Sequence, residues 1–426
     1  MAVSGRAQWL LHRGDDRRRI SSRCLRHSIP QSPRNHDAMG ADVRPMRILT
    51  VTHFFEGHGG GIERVAGHLC RAFAGQGHSL FWAAAGEPCA AETAAPIALS
   101  AWNGIERATG LPMPLPSLSS FRRLWRAVGN ADAVVIHDAL YVPTIAALVF
   151  AKARRRPVLL IQHVGELPLR SRLLRGVAKL ADRLVARRML AAADQVIFIS
   201  DTTCRHFSGV HFAAPPQMLF NGVDTDIFYA GDAVAAPAEP GRRRRIMFAG
   251  RFVEKKGLAT IEALARLRPD LDFLLAGRGP IDPDRWNLPN VTVKRDVSGV
   301  ALADLYRTSD LLLLPSVGEG YPLVVQEAMA CGLPVICGAE SARADPDGSQ
   351  FLTPLAIDID RPQANAAAAS LAIDEARVDA AYREKMAAYA RRRYRWDAMA
   401  RRVCDLAEGL MTRGAGGPQR SHMRSA

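Results

Sequence analysis

Short apolar runs alternate with longer segments of helical spacing along the chain from Met46 onward. The runs VVIH, VLLI and QVIFI are too short for helices and lack strict alternation. Such runs are typical of strands in a parallel sheet, because helices bury both faces of that sheet. The pattern predicts strands at 47–54, 79–84, 133–137, 157–162, 195–199 and 217–220, with helices at 62–75, 141–153 and 169–193.

The same alternation starts again after a segment rich in alanine, proline and glycine, AGDAVAAPAEPGRR. That composition is typical of a linker. Beyond it, the pattern predicts strands at 244–250, 271–276, 290–294, 310–315 and 333–337, with helices at 256–267, 300–308 and 322–331. The fold class is therefore α/β, with two doubly wound domains in tandem. We place them at 46–230 and 244–385, joined by a linker at 231–243 and followed by a helix at 386–411 that packs back across both.

Residues 1–45 contain no apolar stretch of the kind found in secretory signals, and we expect them to be a disordered basic extension. Ordered structure is expected from Met46, which we favour over Met1 as the translation start. The end of the chain, 412–426, is expected to be a disordered tail.

Composition excludes several classes of protein. Of the 426 residues, 48% are hydrophobic, which is enough to bury large cores. No apolar run reaches the length of a membrane-spanning helix. Seven scattered cysteines without a C-x-x-C pair fit a reducing cytosol and argue against disulfides or structural zinc. We therefore expect a cytoplasmic protein.

The positive charge is concentrated in two segments. The formal net charge is +14; residues 1–45 hold nine arginines against four aspartates, and residues 152–188 hold eleven Lys/Arg against two acids. The remaining residues are balanced in charge. Positive charge concentrated in two segments favours a protein that contacts an anionic surface through those segments. No basic motif interleaved with aromatic residues supports a nucleic-acid partner.

The segment PSVGEGYPLVVQEAMACGLPVIC at 315–337 carries two acids at the mouth of a strand crossover. Ligands of open α/β sheets bind at the carboxyl ends of the strands. Proline is favoured at the first helical position, so we expect the helix to begin at Pro322. The free amides of Leu323 and Val324 would then bind phosphate. Glu327, about 7 Å further along the axis, would reach a ribose hydroxyl, and Glu319 a second hydroxylated group.

Taken alone, the two acids favour a turn residue and a surface helix residue over a ligand site. A second cluster supports the site: Arg251 and Lys256 follow the strand RRIMFAG, and Gly279 lies in a glycine turn after another strand. Arginine binds phosphate through two donors and lysine as a point charge. The alternative is a solvated basic loop.

In the first half, Gly59, Gly60 and Gly61 follow the first strand and permit close backbone approach to a ligand. The pattern is neither G-x-G-x-x-G nor a Walker motif. His163 and the pair His137-Asp138 end strands; a lone histidine is more often structural. D-x-D pairs are frequent in turns, so we assign no metal.

Several of these segments together resemble the retaining glycosyltransferases of family 4. They are GGGIERV, the strand-ending His163, LFNGVDTDIF (219–228), GRFVEKKG (250–257) and PSVGEGYPLVVQEAMACGLPVI (315–336). The resemblance covers roughly residues 46–410, and the Glu-x7-Glu block is its most specific part. It implies the GT-B fold, in which two Rossmann-like domains face a central cleft.

The resemblance also implies an activity. A hexosyl or N-acetylhexosaminyl group would pass from a UDP- or GDP-linked sugar to a glycan or lipid-linked acceptor, with retention of configuration and without a metal or other cofactor. A bacterial polysaccharide or glycolipid pathway is expected.

The resemblance further implies roles for individual residues. Arg251 and Lys256 would bind the diphosphate and neutralise the leaving group. Glu319 and His163 would contact the donor sugar, and Glu327 the ribose. The remaining donor-binding candidates are backbone groups at Gly60, Gly61, Gly279, Gly320, Leu323 and Val324.

The chain departs from the family at one place in this block. The family has Gly-Phe-Gly-Leu after the first acid, whereas this chain has Gly320-Tyr321-Pro322-Leu323. Proline removes one amide, so phosphate binding must rest on the next two. The alternatives are a nucleotide-sugar epimerase or phosphorylase, or a non-catalytic protein that binds sugar nucleotides.

A basic amphipathic helix is predicted within 167–190. Leu173, Val177, Leu180 and Leu184 have helical spacing, while five basic residues occupy other faces. We slightly favour an apolar stripe that packs on the core, with a solvated basic back. The alternative is a helix that lies on anionic lipid, which would place the protein peripherally at the inner face of the plasma membrane.

Overall fold

The computed structural model describes residues 44–88, 93–109, 113–165, 172–231 and 241–415. Nearly all of the predicted basic extension and most of the predicted linker lie outside these ranges, as does the end of the predicted tail. Residues 412–415 were expected in that tail but belong to the last helix.

The first half forms a parallel sheet of seven strands with helices on both faces. Its strand order is β3-β2-β1-β6-β7-β8-β9, and β4 and β5 pair separately as an antiparallel ribbon. The strands are β1 Arg47–Phe54, β2 Ser79–Ala85, β3 Ala95–Leu99, β4 Ala101–Trp102, β5 Leu115–Pro116, β6 Ala133–His137, β7 Val158–Gln162, β8 Gln195–Phe198 and β9 Gln217–Met218. The helices are α1 Gly61–Gly75, α2 Gly104–Thr109, α3 Leu118–Asn130, α4 Val142–Ala153, α5 Arg172–Ala181, α6 Arg187–Ala192 and α7 Asp201–His206.

The second half forms a parallel sheet of six strands in the order β12-β11-β10-β13-β14-β15. The strands are β10 Arg245–Ala249, β11 Asp272–Ala276, β12 Val291–Lys294, β13 Leu311–Leu314, β14 Val335–Gly338 and β15 Leu352–Leu355. The helices are α8 Leu258–Leu267, α9 Gly299–Arg307, α10 Leu323–Ala330, α11 Ala339–Ala342, α12 Pro362–Glu375, α13 Ala380–Arg393 and α14 Trp396–Ala415. The order reverses beside the first strand of each sheet, as in doubly wound folds.

The predicted α/β fold is confirmed, and the predicted strands occur within one or two residues of their expected bounds. The sequence pattern missed the edge strands β3 and β15, the short ribbon of β4 and β5, and the helices α2, α3, α7 and α11. The central strands are buried along their whole length: all five residues of β6 and β7 in the first sheet, and all four of β13 in the second. This burial explains why their sequences lack alternation.

The favoured packing of the basic amphipathic helix was wrong. The described part begins at Arg172, passes through a π-helical segment at Asp182–Ala186, and ends at Ala192. Val177 is 57% exposed, Leu180 56% and Leu184 41%, so the apolar stripe does not face the core at these positions. The core is reached later, by Ala186, Met189 and Leu190. The side chain of Leu173 lies outside the described residues.

The predicted helix 386–411 is two helices. The helix α13 packs against α10 of the second half, and α14 packs against α1 of the first. Between them the chain turns at Tyr394 and Arg395, where Val223 and Arg395 form a parallel bridge and the Val223 amide donates to the Tyr394 carbonyl at 3.1 Å. The C-terminal segment therefore crosses from one half to the other, as expected, but through a break.

Among the residues that the structure describes, no helix is both long enough and apolar enough to cross a membrane.

Candidate functional site

The loop between β13 and α10 carries Glu319, whose carboxylate contacts lysine side chains. Lys256 Nζ donates to Glu319 Oε2 at 3.0 Å, and Lys255 Nζ lies 3.8 Å from Oε1. Burial alone would raise the pKa of Glu319, but the positive charges of Lys256, Lys255 and Arg251 outweigh it and hold that pKa below its usual value. Glu319 is therefore an anion at neutral pH, held among cations.

Gly320 brings this loop into contact with the first half of the molecule. A Cβ atom on Gly320 would lie 2.2 Å from the carbonyl oxygen of His163, and 3.4 Å from Thr203 Oγ1. His163 directly follows β7, so the acidic loop of one sheet meets the carboxyl end of a strand of the other. Two candidates predicted from separate halves of the sequence thus lie side by side.

His163 is one of a pair of buried histidines. Its Nε2 lies 3.0 Å from Nδ1 of His137, at the end of β6. Burial lowers the pKa of His163 to about 3 and that of His137 well below the usual range, so both rings are neutral and one nitrogen donates to the other. The sequence identified both residues as strand ends but gave no signal that they pair.

Asp138 lies beside this pair with a left-handed backbone, φ 66°. Its carboxylate accepts from the side-chain amide of Gln162, and its second oxygen has no hydrogen-bond partner among the described residues. Burial raises the pKa of Asp138 to about 7, although backbone amides of His163 and Val164 oppose the shift. Asp138 was considered only with His137, and sequence reasoning assigned it no role.

The helix α10 begins one residue later than predicted. Pro322 precedes the helix with ψ 132°, and Leu323 is its first helical residue. The Val325 amide already donates to the Pro322 carbonyl at 3.1 Å. The amides of Leu323 and Val324 have no acceptor within the helix, because the first turn lacks the preceding carbonyls. Proline at the cap therefore removes neither of these two amides.

Glu327 lies one turn further along α10 and is 9% exposed. The hydroxyl of Tyr306, on α9, donates to its Oε2 at 3.1 Å. Burial raises the pKa of Glu327 to about 7, while the charge of Arg64 and the Tyr306 hydrogen bond oppose this shift. Sequence reasoning missed both neighbours. Tyr306 lies 21 residues before Glu327 in the chain, and Arg64 lies in the first half.

We expect Glu327→Gln to gain stability relative to the wild type as the pH rises. A carboxyl whose pKa is raised by folding stabilises the protein while protonated, and this contribution is lost as the pH passes the folded-state pKa. Between about pH 5 and about pH 8, the difference in free energy of unfolding should shift by roughly 2–3 kcal/mol in favour of the glutamine variant. Urea unfolding at both pH values measures it.

The matched control is Glu375→Gln, at an exposed position of α12. It should leave the difference from the wild type the same at both pH values. An equal difference at both pH values for Glu327→Gln would contradict the raised pKa of Glu327.

The loop after β10 supplies the positive charge. Lys256 ends a short 3-10 turn, Glu254–Lys256, and its side chain is 13% exposed. Arg251 is exposed and acts on Glu319 through its charge. A Cβ on Gly279, after β11, would lie 2.4 Å from the Phe252 carbonyl oxygen. The loops that follow β10 and β11 are therefore in close backbone contact, and only a glycine at 279 leaves room for the loop that carries Arg251.

The glycine loop of the first half precedes α1, which begins at Gly61. A Cβ on Gly60 would lie 2.1 Å from Glu63 Oε2, whereas one on Gly61 would meet nothing within 4 Å. Glu63 is 2% exposed and pairs with His53 Nε2 at 3.0 Å. Burial favours its neutral form, but the hydrogen bond from His53 and the nearby ring of His58 hold the pKa of Glu63 well below its usual value. The loop thus lies against a buried carboxylate that is hydrogen-bonded to His53.

Tyr321, which stands where the family has phenylalanine, takes part in a buried network. Its hydroxyl lies 2.9 Å from that of Tyr394, which donates to Asp345 Oδ2 at 2.8 Å. Tyr389 donates to the same oxygen at 2.7 Å. The departure from the family therefore connects the acidic loop with the C-terminal crossing.

A cavity of about 500 Å³ opens beside Glu319, between the two halves. It is lined by residues of both, including Gly165, Thr203, His206, Glu319, Glu340 and Arg343. Within the described ranges, no three His, Cys, Asp or Glu side chains are placed to hold a metal ion.

Two family models match the chain, one on each half. Residues 59–227 match the model described as Glycosyltransferase Family 4, and residues 243–374 match Glycosyl transferases group 1. Curated relatives include a D-inositol 3-phosphate glycosyltransferase of Mycobacterium sp. (strain KMS), 31% identical over 171 residues, which are 36% of this chain and 39% of the relative. The corresponding protein of Mycobacterium tuberculosis (strain F11) is 30% identical, over 36% of this chain and 35% of that protein. The chain thus spans between about a third and two fifths of the length of these relatives.

Solved structures share the fold over most of the chain. Sucrose-phosphate synthase from Thermosynechococcus elongatus has a TM-score of 0.62 at 19% identity, over 86% of this chain and 100% of that one. An Anabaena protein, Alr3699/HepE in complex with UDP, has a TM-score of 0.62 at 16% identity, over 85% and 100% of the two chains. The same protein with UDP-glucose gives 0.60 at 18% identity, over 86% and 100%.

Proposed function

The chain belongs to the family 4 glycosyltransferases and has the GT-B fold, and from this we propose that it transfers a sugar from a nucleotide-diphosphate sugar to an acceptor with retention of configuration. The observation that carries the proposal is the convergence of Glu319, Lys256 and His163 where the two halves meet. An anion held by lysines, beside free helix amides, is arranged for a substrate that carries both phosphate and sugar hydroxyls.

The proposed mechanism assigns charge stabilisation to the second half. Lys256 and Arg251 bind the diphosphate, and the amides of Leu323 and Val324 donate to phosphate oxygens. As the glycosidic bond breaks, negative charge develops on the leaving diphosphate, and fixed cations in a closed cleft stabilise it more than water does. Lys256 Nζ already donates to the Glu319 carboxylate at 3.0 Å in this structure. When the donor binds, the same ammonium group therefore contacts both the carboxylate and the diphosphate.

The remaining groups orient the donor. Glu327 accepts from ribose hydroxyls, and Glu319 lies near the reacting carbon of the sugar. Since burial keeps His163 neutral, it contacts sugar hydroxyls as a hydrogen-bonding group and not as a cation. Gly60 and Gly61 let the first half approach the diphosphate. The departing phosphate oxygen takes the acceptor proton, so this mechanism needs neither a dedicated protein base nor a metal.

We propose UDP-linked or GDP-linked sugars as donors. The similar Anabaena structures hold UDP and UDP-glucose, so UDP-glucose is the first donor to test. A panel of UDP- and GDP-linked hexoses and N-acetylhexosamines, scored by release of the nucleoside diphosphate, tests the activity. Product anomers determined by NMR test retention.

The alternatives predict different outcomes of that panel. A nucleotide-sugar epimerase would convert the donor without release of nucleoside diphosphate. A binding protein would show saturable donor binding with no turnover in the presence of any acceptor. Either result, obtained with binding of the same donor confirmed by calorimetry, would overturn the proposed transfer.

The acceptor is proposed to be a glycan or lipid-linked molecule met at the cytoplasmic face of a membrane, in bacterial polysaccharide or glycolipid synthesis. The exposed stripe of α5 supports this, because Val177 and Leu180 lie among basic residues with no core to cover them. Such a helix binds the interface of an anionic bilayer. Inositol 3-phosphate belongs in the acceptor panel as the alternative suggested by the mycobacterial relatives' name.

We expect Lys179→Glu/Arg183→Glu to weaken binding to vesicles that contain phosphatidylglycerol by at least about tenfold at low salt, since each basic residue near the surface contributes about 1 kcal/mol. Both positions are exposed. Sedimentation with the vesicles measures the bound fraction. The matched control is Arg391→Glu/Arg392→Glu on α13, which is also exposed. Failure of the wild-type protein to bind these vesicles would overturn the membrane contact.

A further inference from the structure

The helices α3 and α4 pack side by side on one face of the first sheet. Leu124 and Val128 of α3 are buried against the sheet. The same helix also carries three apolar residues that are not fully buried. Leu118 is 83% exposed, and the rings of Phe121 and Trp125 are half-buried. The neighbouring helix adds Val149, which is 56% exposed. Apolar side chains thus point into solvent from two adjacent helices.

Aromatic rings form the centre of this surface. The Phe150 ring lies edge-on to Trp125 with centroids 5.2 Å apart, and edge-on to Phe121 at 6.4 Å. The guanidinium of Arg154 lies 4.2 Å above the Trp125 ring. A surface cavity of about 340 Å³ is lined by Phe121, Arg122, Trp125, Arg126 and Phe150. We call this surface the aromatic–arginine patch; it comprises Leu118, Phe121, Arg122, Trp125, Arg126, Val149, Phe150 and Arg154.

The patch is strongly positive. Neither 118–130 nor 142–156 contains an aspartate or glutamate. Arg122 and Arg126 are exposed, and neither makes an ion pair with any described residue. Arg155, just after α4, is exposed as well. The surface therefore combines apolar and aromatic side chains with uncompensated cations, which is an unfavourable arrangement in water alone.

We propose that the aromatic–arginine patch is a docking surface for an anionic lipid bilayer. Its arginines contact headgroup phosphates, while Leu118, Val149 and the aromatic rings enter the interfacial layer, where amphipathic rings are favoured. A nucleic acid would need flat rings open for base stacking. Here Arg154 covers Trp125 and the ring edges pack on one another. The exposed aliphatic side chains of the patch can be buried in the apolar part of a lipid interface, whereas they offer no surface on which bases stack.

The position of the patch, in the same helical layer as α5, supports a single extended partner that contacts both. Ala186 and Met189, which follow α5, pack on the same sheet face as Leu124 and Leu148 of α3 and α4. The exposed stripe of α5 and the patch therefore belong to one helical layer, and both combine apolar residues with basic ones. This proposal extends the membrane contact proposed above for α5, and the vesicle experiment needs neither donor nor acceptor.

The test uses the full chain and two kinds of vesicle, phosphatidylcholine alone and an equal mixture with phosphatidylglycerol. Arg122→Glu/Arg126→Glu should bind the mixed vesicles at least about tenfold more weakly than the wild type. Leu118→Ser, at a position too exposed to affect folding, should bind several-fold more weakly. Arg391→Glu/Arg392→Glu should bind like the wild type. The fluorescence of Trp125 should shift to shorter wavelength with mixed vesicles, measured against Trp125→Phe.

Three results would overturn the proposal. In the first, Arg122→Glu/Arg126→Glu and Leu118→Ser bind the mixed vesicles like the wild type, while Lys179→Glu/Arg183→Glu no longer binds them. Membrane contact would then be assigned to α5 alone. The second is equal wild-type binding to both kinds of vesicle. The third is a wild-type dimer in light scattering that Leu118→Ser makes monomeric, which would assign the patch to a second copy of the chain. None of these outcomes depends on sugar transfer.

Discussion

Replacing Lys256 with alanine is expected to lower kcat/KM for the nucleotide-sugar donor by about 10²–10³-fold, with most of the loss in kcat. In the proposed mechanism, the ammonium group of Lys256 stabilises charge that develops on the leaving diphosphate, and removing one such preorganised donor has an effect of this size in other enzymes. The substitution also removes the 3.0 Å partner of the buried Glu319 carboxylate. Steady-state kinetics with the donor identified by the panel measures the loss.

A second consequence concerns Glu319. Because the charge of Lys256 opposes the effect of burial on the pKa of Glu319, that pKa should rise in the alanine variant. Activity should then fall at the acidic end of the pH profile, since protonation removes the carboxylate. Lys255→Ala is the matched control: its side chain is 50% exposed and 3.8 Å from Glu319, and we expect a loss below about threefold. Equal losses in the two variants would contradict the role of Lys256.

Replacing Gly320 with alanine is expected to lower kcat by about 10²-fold. The added methyl group would lie 2.2 Å from the His163 carbonyl oxygen, so the acidic loop and the end of β7 must separate by about 1 Å. A displacement of that size at reacting groups has an effect of this order, because catalysis depends on their alignment. Single-turnover kinetics under saturating donor measures the change in the chemical step.

The control for this substitution is Gly75→Ala at the end of α1, where a Cβ would meet nothing within 4 Å. Its kcat should equal that of the wild type. Calorimetric unfolding of Gly320→Ala separates a local change at the cleft from a loss of folded protein. A fully active Gly320→Ala would show that contact between Gly320 and His163 is not needed in the reaction.

The sequence predicted buried strands well because a strand covered on both faces must be apolar throughout. It missed α3 although that helix has a helical pattern. Leu118, Phe121, Leu124 and Val128 follow one another at intervals of three or four, the spacing of an amphipathic helix. Leu124 and Val128 are buried, whereas Leu118 is exposed and Phe121 is half-buried in the aromatic–arginine patch.

The amphipathic pattern of α5 predicted the helix but not what it packs against. A stripe of Val177, Leu180 and Leu184 has the same spacing whether it meets the core or lies exposed. Local composition gives a slight preference for the core, and this preference was wrong because the chain reaches the core only at Ala186 and beyond.

Within the candidate site, the sequence identified groups that follow strands and left out those that depend on tertiary contacts. Glu319 and Lys256 were found because each follows a buried strand, and the structure brings them within 3.0 Å. Tyr306 could not be found, because its link to Glu327 exists only after α9 packs on α10. The break at Tyr394 was equally hidden: no glycine or proline marks it, and it arises from pairing with Val223.

The hydrogen bond between Tyr321 and Tyr394 has a mechanical consequence. Tyr394 stands where the chain passes from one domain to the other, the place at which a hinge absorbs backbone rotation when a cleft opens. Through its hydroxyl, 2.9 Å from that of Tyr321, rotation there pulls on the residue two positions after Glu319. Opening would therefore draw the Glu319 loop away from its place beside His163, and closing would return it. Under the proposed function, the groups that meet the donor would then be assembled only while the domains enclose it.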